Sequence, residues 1–180
     1  MRNFTLEELD FSLPNTQGGQ KSLQDYPESQ AFVIVFTCNH CPYAIAYEQR
    51  LIKLHKILTD KGVPLIAISS NDVRQYPQDS FENMIRRAEE KGFPFPYLYD
   101  ESQEVAKNFD AKRTPHAFLL AKNFEGLWQI VYSGAIDDNY RSEQNVKKSY
   151  LLEATESVLA QETVSQSHIE AVGCTIKWKQ

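Results

Sequence analysis

The sequence contains only three cysteines among 180 residues and no apolar run that approaches the length of a membrane span. Such a span needs about 18 or more apolar residues. An odd, small number of cysteines in a chain of this size does not make a framework of structural disulfides. Residues 1–15 carry acidic side chains where a signal peptide needs apolar ones. We therefore expect a cytoplasmic protein whose thiols are reduced or cycle between redox states.

Basic clusters are also lacking: the net charge is -5, and no run of basic residues is longer than two. Nucleic acids and anionic membranes bind basic surfaces, so we expect neither as a main partner. Hydrophobic residues make up 42% of the chain, enough for the core of one domain. No linker or internal repeat divides the sequence. We predict one domain over residues 1–180, with residues 162–180 as a C-terminal tail that packs on it.

Two of the cysteines, Cys38 and Cys41, lie between an apolar run and a helical pattern. Residues 31–36, "AFVIVF", are typical of a strand buried on both faces. After Cys41 apolar residues recur at helical spacing, with Pro42 suited to the first turn and Gly62 to the end of the helix. A second apolar strand follows over residues 63–69. This order is that of a βαβ unit, so the two strands are expected to be parallel.

The later elements follow from helical spacing, turn residues and β-rich runs. We predict, in order, a helix over 80–91, an extended connection over 93–100, a short helix capped by Asp100, an antiparallel hairpin of strands 117–121 and 127–133, and a helix over 143–160. Thr114-Pro115 directly precedes the hairpin. The tail shows no clear periodicity until "CTIKW", residues 174–178, which has the pattern of a short strand.

Three segments resemble the thioredoxin superfamily, and most of all its peroxiredoxin-like AhpC/TSA, or redoxin, branch. They are "FTCNHCP" (36–42), "FPFPYLYDESQEVAKNFDAKRTPHAFLL" (93–120) and "GCTIKW" (173–178). The resemblance implies an α/β thioredoxin-like fold with a mixed central sheet flanked by helices. It also implies helices inserted before a cis Pro115, which lies beside the CxxC pair. The implied activity is that of a thiol–disulfide oxidoreductase that needs no cofactor or metal.

Thiol–disulfide exchange begins with a thiolate, so the site needs a cysteine of lowered pKa. The sequence places Cys38 at the N-terminal end of a helix, where free N–H groups and the helix dipole favour an anion. His40 adds a donor, or a full charge when protonated. We therefore predict that Cys38 is the nucleophile and that Cys41, one turn further along, resolves the mixed disulfide. A protonated His40 would also make the pair more oxidising.

The residues around the pair are candidates for substrate binding. A cis peptide before Pro115 would leave the backbone of Thr114 free to pair with an extended substrate. Asn39 and His116 are the other candidates, and the role of His116 stays open. Because parallel strands end at one sheet edge, the polar residues 70–72 are expected near the CxxC pair. The expected partners are protein or small-molecule disulfides and thiols, together with an unidentified electron donor.

Two other functions compete with this prediction. A peroxiredoxin-like peroxidase, with Cys41 or Cys38 as peroxidatic cysteine, carries the pattern PxxxTxxC. Counted from Cys41, the Pro and Thr positions hold Ile34 and Cys38; counted from Cys38, they hold Ala31 and Val35. Neither register supplies the threonine hydroxyl.

A metal-binding or redox-sensing protein without catalytic activity is the second alternative. Zinc sites usually have four ligands. The ligands that the CxxC pair could recruit are His40, His116 and Cys174, and these have no recognisable ligand spacing.

The third cysteine, Cys174, follows Gly173 near the end of the tail. Free cysteine is often a small buried residue, so we expect Cys174 to pack under Trp178 or Ile176. Oxidation should then produce a Cys38–Cys41 disulfide and leave Cys174 reduced. The alternative is a third redox thiol, which requires the fold to bring the tail back across the active-site edge.

Overall fold

The computed structural model describes all 180 residues, and its helices are separated by short strands along the chain. The five α-helices are α1 (Leu6–Leu9), α2 (Pro42–Asp60), α3 (Phe81–Lys91), α4 (Glu104–Asn108) and α5 (Tyr150–Leu159). Single 3₁₀ turns occur at Leu23–Asp25, Pro77–Asp79 and Glu143–Asn145. None of the helices combines the length and the apolar character that a membrane crossing requires.

Ten strands form one large sheet and two short ribbons. They are β1 (Leu13–Pro14), β2 (Gln20–Lys21), β3 (Ala31–Phe36), β4 (Leu65–Ser69), β5 (Tyr97–Tyr99), β6 (Arg113–Thr114), β7 (His116–Lys122), β8 (Trp128–Gly134), β9 (His168–Ile169) and β10 (Cys174–Thr175). The large sheet has the order β5-β4-β3-β7-β8-β9, while β1 pairs with β2 and β10 with β6.

The large sheet is mixed, as expected. Strand β3 runs parallel to β4 and antiparallel to β7, and β7 and β8 form the predicted antiparallel hairpin. The βαβ unit β3–α2–β4 is therefore confirmed, and so is the α/β fold with a mixed central sheet flanked by helices.

Strand β3 lies inside the sheet, between β4 and β7, and all six of its side chains are buried. Its residues alternate between two apolar clusters, since successive side chains of a strand point to opposite faces. Val33 and Val35 join the cluster that contains α2 residues, while Ile34 and Phe36 join the cluster on the other face. This burial on both faces explains why the strand reads as a continuous apolar run.

Two helices differ from the sequence predictions. Helix α5 begins at Tyr150 rather than at residue 143, because Glu143–Asn145 forms a separate 3₁₀ turn. Helix α4 begins at Glu104 with Gln103, not Asp100, as its N-cap residue. Asp100 is fully buried instead, and its Oδ2 accepts hydrogen bonds from the Ser70 hydroxyl at 2.8 Å and the Ala106 N–H at 3.0 Å.

The C-terminal tail, residues 162–180, packs on the domain through its two short strands. Strand β9 extends the large sheet beside β8, and β10 lies antiparallel to β6. The tail therefore reaches the segment that immediately precedes Pro115.

Candidate active site

Helix α2 begins at Pro42, and Cys41 is its N-cap residue. The predicted start of the helix after Cys41 is therefore correct, and Cys38 lies three residues before the N-cap residue. The backbone N–H of Ala44, in the first turn, bonds the sulfur of Cys41. Because such N–H groups have no partner within the helix, they stabilise an anion at the cysteine that they face. That cysteine is Cys41.

A hydrogen bond joins the two sulfurs of the CxxC pair, and it shifts the pKa values of the two thiols in opposite directions. The Cys38 thiol donates to the Cys41 sulfur and lowers the pKa of Cys41 to about 4. The same bond raises the pKa of Cys38, as do burial and the nearby carboxylate of Asp79. Both residues are almost fully enclosed, at 2% exposure for Cys38 and 0% for Cys41. The assignment of Cys38 as nucleophile and Cys41 as resolving cysteine stays a prediction.

The peptide between Thr114 and Pro115 is cis, and it lies beside the pair as the resemblance implied. Thr114 contacts both sulfurs: its Oγ1 lies 3.6 Å from Cys38 Sγ, and its carbonyl oxygen lies 3.3 Å from Cys41 Sγ. The carbonyl can accept the proton of Cys41 when that residue is a thiol. Thr114 also places a hydroxyl beside Cys38, although neither register of the peroxidase pattern contains a threonine.

His40 pairs with a buried aspartate that the sequence analysis missed. Its Nδ1 lies 2.5 Å from Oδ2 of Asp79, a side chain with no solvent exposure, while the imidazole stacks on Tyr76 with 5.0 Å between ring centroids. Asp79 ends the 3₁₀ turn Pro77–Asp79, just before the N-cap residue of α3. In the sequence Asp79 lies in a polar turn, and because such turns are common, the turn does not by itself indicate a functional residue.

Asp79 also fixes the loop that holds the CxxC motif. Its Oδ1 accepts the backbone N–H of Asn39 at 2.8 Å and that of His40 at 3.3 Å, and its Oδ2 accepts the Asn71 amide at 2.8 Å. The expected closeness of residues 70–72 to the pair is therefore correct for Asn71. Asp79 sets the position of the CxxC loop through hydrogen bonds to two of its backbone amides.

Asn39 was a predicted substrate-binding residue, but its side chain is used internally. Its amide donates to the carbonyl of Gln78 at 2.9 Å, and its Oδ1 accepts the Tyr97 hydroxyl at 2.9 Å. Asn39 is 6% exposed, and both polar atoms of its side chain already have partners within the protein. We correct its role to that of a residue that supports the loop.

His116, the other predicted substrate-binding side chain, is also buried. The Lys112 N–H donates to its Nδ1 at 3.2 Å, its Nε2 has no hydrogen-bond partner, and its ring packs on Phe118. Burial lowers the pKa of His116 to about 4, so the imidazole is neutral near neutral pH. Its position on the core side of β7 does not support a substrate-binding role.

The third cysteine does not occupy the expected place. Cys174 is half-buried and packs against the cluster of Cys38, Cys41 and Ala44. The Cys174 thiol and backbone N–H both bond the sulfur of Cys41. Burial and this contact raise the pKa of Cys174 to about 11. Cys174 thus packs on the CxxC pair, and that it stays reduced on oxidation remains a prediction.

Strand pairing explains how the tail reaches the site. Cys174 lies opposite Thr114 in the β6–β10 ribbon, so the backbone of Thr114 is already paired. The predicted docking edge for an extended substrate is occupied by the chain itself. A substrate could pair with Thr114 only after β10 has moved away.

One group of side chains near the pair has the chemistry of metal ligands. The group consists of the Cys38 sulfur, a ring nitrogen of His40 and a carboxylate oxygen of Asp79. These three atoms lie within 4.8 Å of one another. A structural zinc site takes four ligands. These three side chains do not complete such a set, and the carboxylate already accepts the hydrogen bonds of the loop.

Comparison with known proteins places this site in a family. Residues 7–127 match the AhpC/TSA family, which is more than half of the chain. The chain belongs to the AhpC/TSA family. The match spans the CxxC motif, the Asp79 turn and the cis Thr114–Pro115 peptide, whereas the tail with Cys174 lies outside it.

Individual relatives within and around the AhpC/TSA family agree with this assignment. The chain is 26% identical to the thiol-disulfide oxidoreductase ResA of Geobacillus kaustophilus over 140 residues, which cover 77% of this chain and 75% of the relative. A solved structure of an uncharacterized conserved protein from Geobacillus kaustophilus is 40% identical, with a TM-score of 0.85, 94% of this chain and 89% of that chain covered.

A more distant solved structure supports the thioredoxin-like fold alone. The solution structure of a putative thioredoxin from Neisseria meningitidis is 23% identical, with a TM-score of 0.55, and the match covers 69% of this chain and 75% of that chain. This likeness confirms the predicted thioredoxin-like fold, and the AhpC/TSA match over residues 7–127 confirms the predicted redoxin branch.

Proposed function

We propose that this protein is an enzyme, a thiol–disulfide oxidoreductase that uses the Cys38–Cys41 dithiol. The observation that carries the proposal is that both sulfurs lie at the N-terminus of α2 in contact with Thr114, beside the cis peptide. A thiolate is the attacking species in disulfide exchange, and Cys38 becomes one when its proton passes to Cys41. The relative named thiol-disulfide oxidoreductase supports the same chemistry.

The geometry supports Cys38 as the attacking sulfur, with Cys41 as its base. Cys41 is enclosed by Cys38, Thr114 and Cys174, whereas Cys38 lies on the side of His40, whose side chain is 22% exposed. As Cys38 attacks one sulfur of a partner disulfide, its proton passes to Cys41 along the existing hydrogen bond. One partner sulfur leaves as a thiolate, and the other stays bound to Cys38 as a mixed disulfide.

The second half of the reaction restores the balance of protons and electrons. Cys41 gives its proton to the departing thiolate and attacks Cys38. The mixed disulfide breaks, the second partner sulfur leaves, and the Cys38–Cys41 disulfide forms. The partner has gained two electrons, and the protein has lost two. An external dithiol donor of the same chemical class returns the protein to the reduced form.

The partners we propose are small-molecule or protein disulfides and thiols in a reducing compartment such as the cytoplasm. A net charge of -5 and the lack of a basic cluster argue against nucleic acid and anionic membranes as partners. Because Cys38 and Cys41 are enclosed, a small disulfide should react faster than a folded protein disulfide. An antioxidant role through thiol repair would follow from this activity.

The test measures reduction of oxidised glutathione, and of insulin, in the presence of dithiothreitol. We expect wild-type protein to accelerate both reactions, Cys38→Ser to abolish turnover, and Cys41→Ser to stop it at a mixed disulfide detectable by mass. Phe124→Ser is the control, because Phe124 is 97% exposed and lies in the turn between β7 and β8. Wild-type rates in both cysteine variants would refute the proposed function.

A further inference from the structure

The C-terminal strand lies against the backbone that precedes the cis proline. In the β6–β10 ribbon Cys174 faces Thr114 and Thr175 faces Arg113. The chains approach so closely at Gly173 that a Cβ atom there would lie 2.3 Å from the carbonyl oxygen of Thr114. Since a real Cβ never comes so near, only glycine allows this approach. The tail thus takes the position that an extended redox partner would take.

Buried polar side chains hold the tail in this position. The Lys177 N–H donates to Oδ1 of Asn71 at 2.9 Å, and the Lys177 carbonyl accepts from the Asp72 N–H at 2.7 Å. Gln103, at 1% exposure, donates to the Lys177 carbonyl at 2.8 Å and accepts the Lys179 N–H at 2.9 Å. These contacts hold the chain directly after β10, and so fix where Cys174 lies.

This placement brings a third sulfur to the redox pair. Cys41 contacts Cys38 on one side and Cys174 on the other, and Cys174 is the least buried of the three. We propose that Cys174 is a third redox thiol, presented by β10 as an intramolecular partner, and that it forms a disulfide with Cys41. The proposal rests on the proposed oxidoreductase function and adds a residue to it.

The proposed step is an internal exchange with no further oxidant. Once Cys38 and Cys41 have been oxidised by a partner disulfide, Cys174 loses its proton and its sulfur attacks the sulfur of Cys41. The Cys38–Cys41 bond breaks as the Cys41–Cys174 bond forms. Cys38 leaves as a thiolate and takes up a proton. One disulfide is consumed and one is formed, so the oxidation state of the protein does not change.

The exchange would move the disulfide from an enclosed position to a more exposed one. The Cys38–Cys41 bond joins two residues of 2% and 0% exposure, while the Cys41–Cys174 bond includes a half-buried sulfur. An external dithiol could then attack at Cys174. We infer that Cys38 accepts oxidising equivalents from one partner and that Cys174 passes them to another.

The sequence allows the three thiols to be distinguished by peptide mapping. Trypsin leaves Cys38 and Cys41 together in residues 22–50 and Cys174 in residues 149–177. Reduced protein is treated with limiting oxidised glutathione, quenched with acid at successive times, alkylated and digested. We expect the two peptides to become linked, with the alkyl group on Cys38 and the link at Cys41.

The other outcomes separate this proposal from the proposed function. A Cys38–Cys41 disulfide within residues 22–50, with Cys174 alkylated at every time, would overturn the role of Cys174 and leave the oxidoreductase intact. A Cys174–Cys38 link would also overturn it. Failure of the wild-type protein to form any disulfide, or to turn over oxidised glutathione, would instead refute the proposed function.

Two variants extend the test without relying on one mutant. Cys174→Ser should abolish the linked peptides and accumulate the disulfide within residues 22–50. Gly173→Ala retains all three thiols but forces β10 away from Thr114, so the yield of linked peptides should fall several-fold. Thr175→Ser is the matched control, because Thr175 is exposed on the same strand, and its yield should equal that of wild type. If Gly173→Ala gives the wild-type yield of linked peptides, the position of β10 does not bring Cys174 to Cys41.

Discussion

Cys174 lies directly opposite Thr114, so the residue that precedes the cis proline already has a strand partner from its own chain. This relationship changes how the site must be approached. An external partner reaches Cys38 from the side of His40, or it displaces β10 to reach the backbone of Thr114. It also makes Cys41 the central sulfur of three, which leads to predictions about charge and access.

The first prediction concerns the thiolate of Cys41. Cys38→Ala removes the thiol that donates to Cys41, so the pKa of Cys41 should rise from about 4 towards its ordinary value. Each unit of rise corresponds to about 1.4 kcal/mol of lost stabilisation of the thiolate. Ultraviolet thiolate absorbance against pH measures the change. Thr175→Ser should titrate as wild type, and an unchanged acid titration in Cys38→Ala would contradict the shared proton.

A second prediction concerns Asp79. Asp79→Asn replaces an acceptor oxygen by an amide donor, which would face the N–H groups of Asn39 and His40 or the amide of Asn71. We expect the free energy of unfolding to fall by about 1–3 kcal/mol, together with slower disulfide exchange because the CxxC loop loses its support. Urea unfolding and glutathione turnover measure the two effects.

The control for Asp79 is a second aspartate. Asp110→Asn changes an exposed aspartate that pairs only with Lys112 at the surface, so its stability should stay within about 0.5 kcal/mol of wild type. Equal stability of the two variants would show that Asp79 does not hold the loop.

A third prediction concerns the attachment of the tail. Gln103 has a backbone φ of 66°, a conformation that asparagine tolerates well. Gln103→Asn therefore keeps the backbone but is too short to bond Lys177 and Lys179. We expect faster alkylation of Cys174 in the reduced protein, because the tail opens locally at a lower free-energy cost. Quantitative mass labelling gives the rate, and Gln24→Asn should match wild type. If both variants label at the wild-type rate, the contacts of Gln103 do not hold the tail.

The fourth prediction concerns pH. His116 has a lowered pKa of about 4, so it stays neutral in the folded protein while the unfolded chain takes up a proton below about pH 6.5. The unfolded state therefore binds more protons between about pH 4 and 6.5, and stability falls as the pH falls through this window. One proton gives a slope of at most about 1.4 kcal/mol per pH unit. His116→Gln should reduce the slope by that amount, because glutamine does not titrate.

Urea unfolding at several pH values measures this slope, and comparison of the variant with wild type cancels the contributions of all other groups. Equal slopes would mean that His116 is protonated in the folded protein as readily as in the unfolded chain.

Local patterns in the sequence were enough to predict the framework of the site. A βαβ unit is predicted by the continuous apolar run of β3, the helical spacing after Cys41 and the second apolar strand. Each pattern is local, because it reflects which side chains of that one element are buried. The resemblance then added the cis Pro115 beside the pair. These features are encoded within segments of about ten residues.

Only the tertiary structure decided how the site is charged and covered. Asp79 lies 40 positions from Asn39 and 39 from His40, and Cys174 lies over 130 positions from Cys41, so no local pattern connects them. The pKa difference within the pair depends on which sulfur receives hydrogen bonds from Cys38, Ala44 and Cys174. The sequence determined that two cysteines would meet at a helix end; long-range packing determined that Thr114 contacts both sulfurs and that a third cysteine lies beside them.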